Sequence, residues 1–185
     1  MTENRRKRNK AGIIWLFLML IWLTVIFSFS AKKADESTVM SHSVGKLIGN
    51  IVIPEYRSWP KDKQEQFAEK IDFPVRKCAH ASEYAVLGVL MLGTAYSFAE
   101  DQGKKNRLLC WCAGTAYAAT DEFHQLFVPG RRCQFRDVCI DSAGILTGIV
   151  LFSLIKHQIA KYNEKKKVVK NVKNQGKSLD KNHDS

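Results

Sequence analysis

Ala11 to Ser30 runs for about 20 residues without one charged side chain, enough at 1.5 Å per residue to cross a hydrocarbon core of ~30 Å. That segment constrains the chain more than anything else in it. Three further runs, Val75 to Ala99, Arg107 to Phe127 and Val138 to Ile155, carry charge only toward their ends and are otherwise Leu, Ile, Val, Ala, Phe and Gly. The mean hydropathy of −0.22 hides this pattern, because it averages apolar runs with polar loops and tails. A soluble bundle with long core helices competes with a reading of four spans, and the charge-free first run argues against it.

Basic residues near the helix ends set the orientation. Arg5-Arg6-Lys7-Arg8 with Lys10 precedes the first run, and the tail beyond Ile155 carries Lys156, Lys161, Lys165, Lys166, Lys167, Lys170, Lys173, Lys177 and Lys181. Both termini are therefore expected in the cytoplasm, as an even number of spans requires. The long first loop also holds bases, but loops approaching ~60 residues obey the rule poorly. The net charge of +11 resides largely in the two termini and fits attraction to anionic lipid at the inner leaflet. No aromatic-basic platform or helix-turn-helix pattern accompanies it, which excludes nucleic acid as the expected partner.

The expected organisation is a basic N-terminus over 1–10, a membrane domain over 11–157 and a lysine-rich tail over 158–185, disordered or a frayed surface helix. Ser28-Phe29-Ser30-Ala31 offers a small-x-small cleavage pattern, yet the preceding apolar stretch exceeds the ~7–15 residues of a signal peptide, so an uncleaved anchor is expected. In the first loop Met40, Val44, Leu47, Ile48, Ile51 and Val52 recur at helical spacing, which predicts an amphipathic helix on the outer membrane surface. Pro54 ends it. A second short helix is expected from Pro60 through Lys70, with Pro74 preceding the next span.

Helical periodicity shows which charges can meet. Arg76, His80 and Glu83 lie at i, i+4 and i+7, with Lys77 and Tyr84 beside them. Gly114, Ala118, Asp121 and Gln125 follow the same rule in the third run, flanked by Tyr117, Glu122 and His124. Asp137, Asp141, Gly144 and Gly148 repeat it in the fourth. Each run thus carries a polar cap above a stripe of small residues, here Gly114 with Ala118 and Gly144 with Gly148, of the kind that lets membrane helices approach closely. Because successive spans alternate in direction, the three caps are expected to form one site at the outer face. Charge at that depth is costly, so it is a functional hypothesis by default.

The ordered set R-K-x-A-H-x-x-E-Y (Arg76 to Tyr84), Y-A-x-x-D-E-x-H-Q-x-F-x-P-G-R (Tyr117 to Arg131) and D-V-x-x-D-x-x-G-x-x-x-G (Asp137 to Gly148) resembles the VanZ-like family of bacterial integral membrane proteins. The resemblance covers roughly Ile13 to Ile155 and departs at Phe135, where a polar residue is common. It implies a cell-membrane protein related to one that gives low-level resistance to the glycopeptide teicoplanin. It also implies functional roles for Arg76, Lys77, His80, Glu83, Tyr84, Asp121, Glu122, His124, Gln125, Arg131, Asp137 and Asp141.

Three chemistries suit this residue set. His80 with Glu83 and Asp121 with His124 are spaced i, i+3, so with Asp141 or Asp137 they could ligate a divalent metal and activate water, making a metal-dependent hydrolase of a lipid-linked cell-wall precursor. The same acids and bases could instead neutralise one another as an ion-pair network. Arg131, Arg132 and Arg136, on a short loop turned by Pro129-Gly130, present guanidinium forks suited to phosphate or carboxylate. No metalloprotease signature favours the first, and structural networks perturb titratable groups as active sites do. Recognition is preferred: no cofactor, with membrane lipid and a lipid-linked precursor or glycopeptide as partners. The cysteines are five, an odd count, and free thiols are the default; a bridge between Cys133 and Cys139 lacks any framework spacing.

Overall fold

The computed structural model describes residues 3–98 and 103–181. Among these residues the chain is all helix with no strand: α1 (Glu3–Ser30), α2 (Ala34–Val52), a 3-10 turn (Tyr56–Ser58), α3 (Lys61–Phe98), α4 (Lys104–Gln125) and α5 (Phe135–Lys181). By compactness it divides into residues 1–149 and 150–185. Ala99, the expected last residue of the second run, lies outside the described residues.

Two stretches are long and apolar enough to cross a membrane, Arg8–Ser30 and Phe135–Val168. Only 11% of the first window and 28% of the second is buried, and Ile13, Ile14 and Phe17 are all about 60% exposed. A core helix of a soluble protein would bury such side chains. The other two runs do not reach the same apolarity: α3 and α4 spend their length on Ala, Gly, Thr, Ser and Tyr and carry Glu83, Asp121 and Glu122. Of the strongly apolar runs expected from the sequence, two meet the length and hydropathy requirement among the described residues.

Within residues 1–149, α3 is the central element. It runs antiparallel to α1, with Gly12 against Phe98, Gly93 against Trp15, and the Trp22 indole donating to the Glu83 carbonyl at 2.8 Å. Toward α5 it is parallel and very close. A Cβ at Gly144 would strike the Ala81 carbonyl oxygen, one at Gly148 the Ala85 carbonyl oxygen, and one at Gly88 the Ile145 carbonyl oxygen. Gly114 of α4 faces the Ile145 side chain and Met91, and Ala118 is fully buried. Glycine at the α3–α5 contact is what allows backbone to approach backbone.

The first loop departs from expectation at Pro74. Instead of two helices separated at Pro74, α3 continues through that proline, although proline removes one helical hydrogen bond. Its first half is held by α2: Asp72 accepts from Ser41, Lys46 pairs with Glu65, and His42 Nδ1 lies 3.1 Å from Glu65. The face that α2 buries is its small one. Its small residues Ser41, Gly45 and Gly49 pack inward against Ala68 and Tyr56, while Leu47, Ile51 and Val52 are 57–75% exposed. Small residues inward and large apolar residues outward is the arrangement a lipid surface accommodates.

Residues 150–181 continue α5 as helix. Val150, Leu151, Leu154 and Ile155 are exposed. Beyond Lys161, where coil or a frayed surface helix is expected, the chain is helical to Lys181; Lys, Gln and Glu are good helix formers and no proline interrupts them.

Candidate functional site

The lower half of α3, the C-terminal ends of α1 and α4, and the first turns of α5 meet at one end of the 1–149 unit. Tyr84, fully buried on α3, donates to Asp121 Oδ2 on α4 at 3.2 Å. Lys77 Nζ lies 2.5 Å from Asp137 Oδ1 on α5. Glu122 accepts the Gln134 backbone N–H at 3.0 Å, fixing the approach to α5. Tyr117 donates to the Leu23 carbonyl at 3.1 Å, and the His124 ring sits 4.7 Å from that of Phe27. Helices α3, α4 and α5 therefore present their polar residues around the end of α1.

The loop from α4 to α5 is set by local rules. Arg131 N–H bonds the Val128 carbonyl at 3.1 Å across Pro129 and Gly130, a type II turn with proline at its second position and glycine at its third. Gly130 has φ 78°, and a Cβ there would lie 2.9 Å from the Ala34 methyl, so glycine is needed on both counts. The turn aims Arg131 back into the protein, where Nε donates to the Lys32 carbonyl at 3.2 Å. Burial, then the neighbouring Arg76, lower the affinity of Arg131 for its proton.

Two cavities adjoin this region. One of about 180 Å³ is polar, with Arg76, Lys77, Arg131 and Arg132 on its walls beside His80, Gln125 and Asp137. The other, of about 630 Å³, runs between α2 and α3 from the end of α1 and is lined mainly by apolar groups such as Met40, Val44, Ile48 and Ile71. Arg76, His80 and Arg131 border both. The i, i+4, i+7 face of Arg76, His80 and Glu83 forms part of the larger cavity's wall. His124 lines neither; its ring faces Phe27.

Beneath the cavities lies a buried acidic layer. Asp121, Glu122 and Asp141 are each no more than 4% exposed. Among the described residues, Asp121 Oδ1, Asp141 Oδ1, His124 Nδ1 and Ser30 Oγ meet no hydrogen-bond partner. Such atoms cost about 1–3 kcal/mol each when unmet, which makes this layer the part of the site with unused bonding capacity. Among the described residues no group of three or more His, Cys, Asp or Glu is arranged to hold a metal ion. The i, i+3 pairs His80 with Glu83 and Asp121 with His124 therefore do not converge with Asp141 into a ligand set.

Sequence reasoning did not find Trp22, Ser30 or Gln134. Ser30 stood out only as part of a cleavage pattern, yet it is 1% exposed and faces Asp121 together with His124 and Gln125. Its signal was position: the last residue of an apolar run, at the depth of the caps. Asp72 pairs with Arg76 at 2.6 Å, an i, i+4 relationship legible in the sequence and passed over. Phe135 is 82% exposed and makes no polar contact. All five cysteines are free; Cys110 is buried as a packing residue, whereas Cys112 is exposed.

No curated protein and no solved structure matches the chain. A family model described as VanZ/LLP1 matches residues 15–156, a range that takes in every residue of the cap and both cavities. The chain belongs to the VanZ/LLP1 family.

Proposed function

We propose that this chain is a four-span integral membrane protein with both termini in the cytoplasm, whose polar site opens at the outer leaflet and alters how the cell envelope responds to glycopeptides such as teicoplanin. Non-covalent recognition of a ligand at the membrane surface is the mode of action. The ligand is a lipid-linked cell-wall precursor or the glycopeptide itself.

The observation that carries the reading is the meeting of α3, α4 and α5 around the Tyr84–Asp121 bond, with basic residues above and buried carboxylates below. Alternation of helix direction supports the even span number, and the exposed apolar faces of α1 and α2 suit contact with lipid. The acyl-chain side of such a site holds an apolar ligand body, and the guanidinium groups hold its anionic end.

Impermeant thiol labelling tests it. In a cysteine-free background, Ser58→Cys is expected to label in intact cells and Glu164→Cys only after permeabilisation. The reverse pattern would put the polar site on the cytoplasmic side and overturn the reading.

A further inference from the structure

The two cavities share a border at Arg76, His80 and Arg131, and they are chemically opposite. The larger is bounded by aliphatic side chains of α2 and α3, and at about 630 Å³ it lies within the ~300–1,000 Å³ typical of small-molecule sites. The smaller is basic. A ligand that fills both is an amphiphile with an anionic end.

The unpaired cations set how anionic that end is. Four cations line the small cavity. Arg76 is engaged by Asp72 at 2.6 Å and Lys77 by Asp137 at 2.5 Å. Arg131 and Arg132 form no ion pair among the described residues; Arg131 gives its Nε to the Lys32 carbonyl, and Glu122, Asp121 and Asp137 act on it only through space. Two guanidinium groups are left over. A phosphodiester carries one negative charge, whereas a terminal phosphate carries about −1.5 to −2 at pH 7 and offers three acceptor oxygens.

We propose that the two cavities together bind one lipid molecule bearing a doubly charged phosphate or pyrophosphate, with its hydrocarbon chain between α2 and α3 and its phosphate on Arg131 and Arg132. The proposal rests on the membrane reading above and names the ligand class for that site. It explains two features of the structure. The half-buried Arg131 stands where burial, then the like charge of Arg76, outweigh the opposing pull of Glu122, Asp121 and Asp137, a cost that a dianion offsets. The ion pairs and hydrogen bonds from α2 to Asp72 and Glu65 fix α2 as the outer wall of the groove.

Native mass spectrometry of the full chain in a neutral maltoside detergent, titrated with dodecyl phosphate, tests this. One dodecyl phosphate per chain is expected, with inorganic phosphate not retained and phosphatidylglycerol held at least about tenfold more weakly. Arg132→Gln alters an exposed side chain and should lower the affinity for dodecyl phosphate about tenfold, the effect of removing a charge-assisted contact. Val44→Trp fills the groove from α2 and should lower binding at least as far while the melting curve stays unchanged. Equal retention of inorganic phosphate, equal affinity for phosphatidylglycerol, or several loosely held copies indifferent to both substitutions would overturn the proposal. Failure here with Ser58→Cys labelled from outside leaves the outward site standing without this ligand; reversed labelling with intact binding moves the ligand to the inner leaflet.

Discussion

Tyr84 on α3 donates its hydroxyl proton to Asp121 on α4 across 3.2 Å, with both side chains withdrawn from the surface. The bond joins the first and second motifs of the chain and holds a carboxylate whose other oxygen meets no partner among the described residues. Removing the donor leaves Asp121 poorer still. Tyr84→Phe is therefore expected to lower stability in detergent by about 0.5–2 kcal/mol, read as a reduced melting temperature with the helical circular dichroism retained. An unchanged melting curve would show that the bond contributes nothing.

The glycine stripe of α5 makes a sharper demand. At Gly148 even a methyl group would overlap the Ala85 carbonyl oxygen, and at Gly144 the Ala81 carbonyl oxygen. Overpacking typically costs about 1–3 kcal/mol, and here backbone rather than a flexible side chain must yield. Gly148→Ala should reduce the folded amount of protein, and Gly144→Leu or Gly148→Leu should nearly abolish it. Normal accumulation and melting of all three would mean that α3 and α5 do not meet as described.

How much of this was legible beforehand differs by element. The first run needed only the absence of charge, and the placement of polar caps above small residues followed from a period of 3.6. Antiparallel order then brought α3, α4 and α5 together. Pro74 was misleading because its local preference for a helix boundary is outweighed by contacts forty or fewer residues away, those of Asp72 with Ser41 and of Glu65 with Lys46. On α2 the apolar residues that recur at helical spacing point away from the protein; hydropathy marks which face is apolar, not whether protein or lipid covers it. From α1, Trp22 donates its indole N–H to α3 and Ser30 is buried beside Asp121, side chains too common in apolar helices to stand out without the fold.

The α2 clamp should respond to acid. The Lys46 ammonium first, then His42, hold the Glu65 carboxyl below its ordinary value of 4.5. A carboxylate whose affinity for protons is lowered by folding stabilises the fold above its unfolded value and loses that contribution as pH falls through the folded one. Amide exchange in α2 should therefore rise relative to α3 as pH drops below about 4.5. The effect is small, because Glu65 is exposed and screened. Glu65→Gln should raise exchange at neutral pH and flatten the dependence; an identical profile in wild type and variant would contradict the assignment.

The turn into the basic cavity gives a prediction confined to one residue. Gly130 adopts φ 78° against Ala34, so Gly130→Ala carries about 1–2 kcal/mol of left-handed strain and a steric conflict with the start of α2. Hydrogen exchange across 126–136 should increase, whereas the glycine-packed core of α3 and α5 keeps its protection. Loss of protection throughout the chain, or none in the loop, would contradict a local role.

In the proposed function the polar cap acts as one ligand-binding unit. Glu83, Asp121 and Asp141 come from three helices, and each can be neutralised with little change of shape. The decisive measurement is teicoplanin susceptibility of cells producing Glu83→Gln, Asp121→Asn, Asp141→Asn and the Asp121→Asn/Asp141→Asn pair, with membrane levels of each protein measured in parallel. On the proposed function the wild type lowers susceptibility, each single variant is expected to lose that effect at near-normal protein levels, and the pair is expected to lose no more than the worse single change, as coupled sites do. Full protection by all the variants would contradict the account, and so would disappearance of all of them from the membrane, which would make the cluster structural.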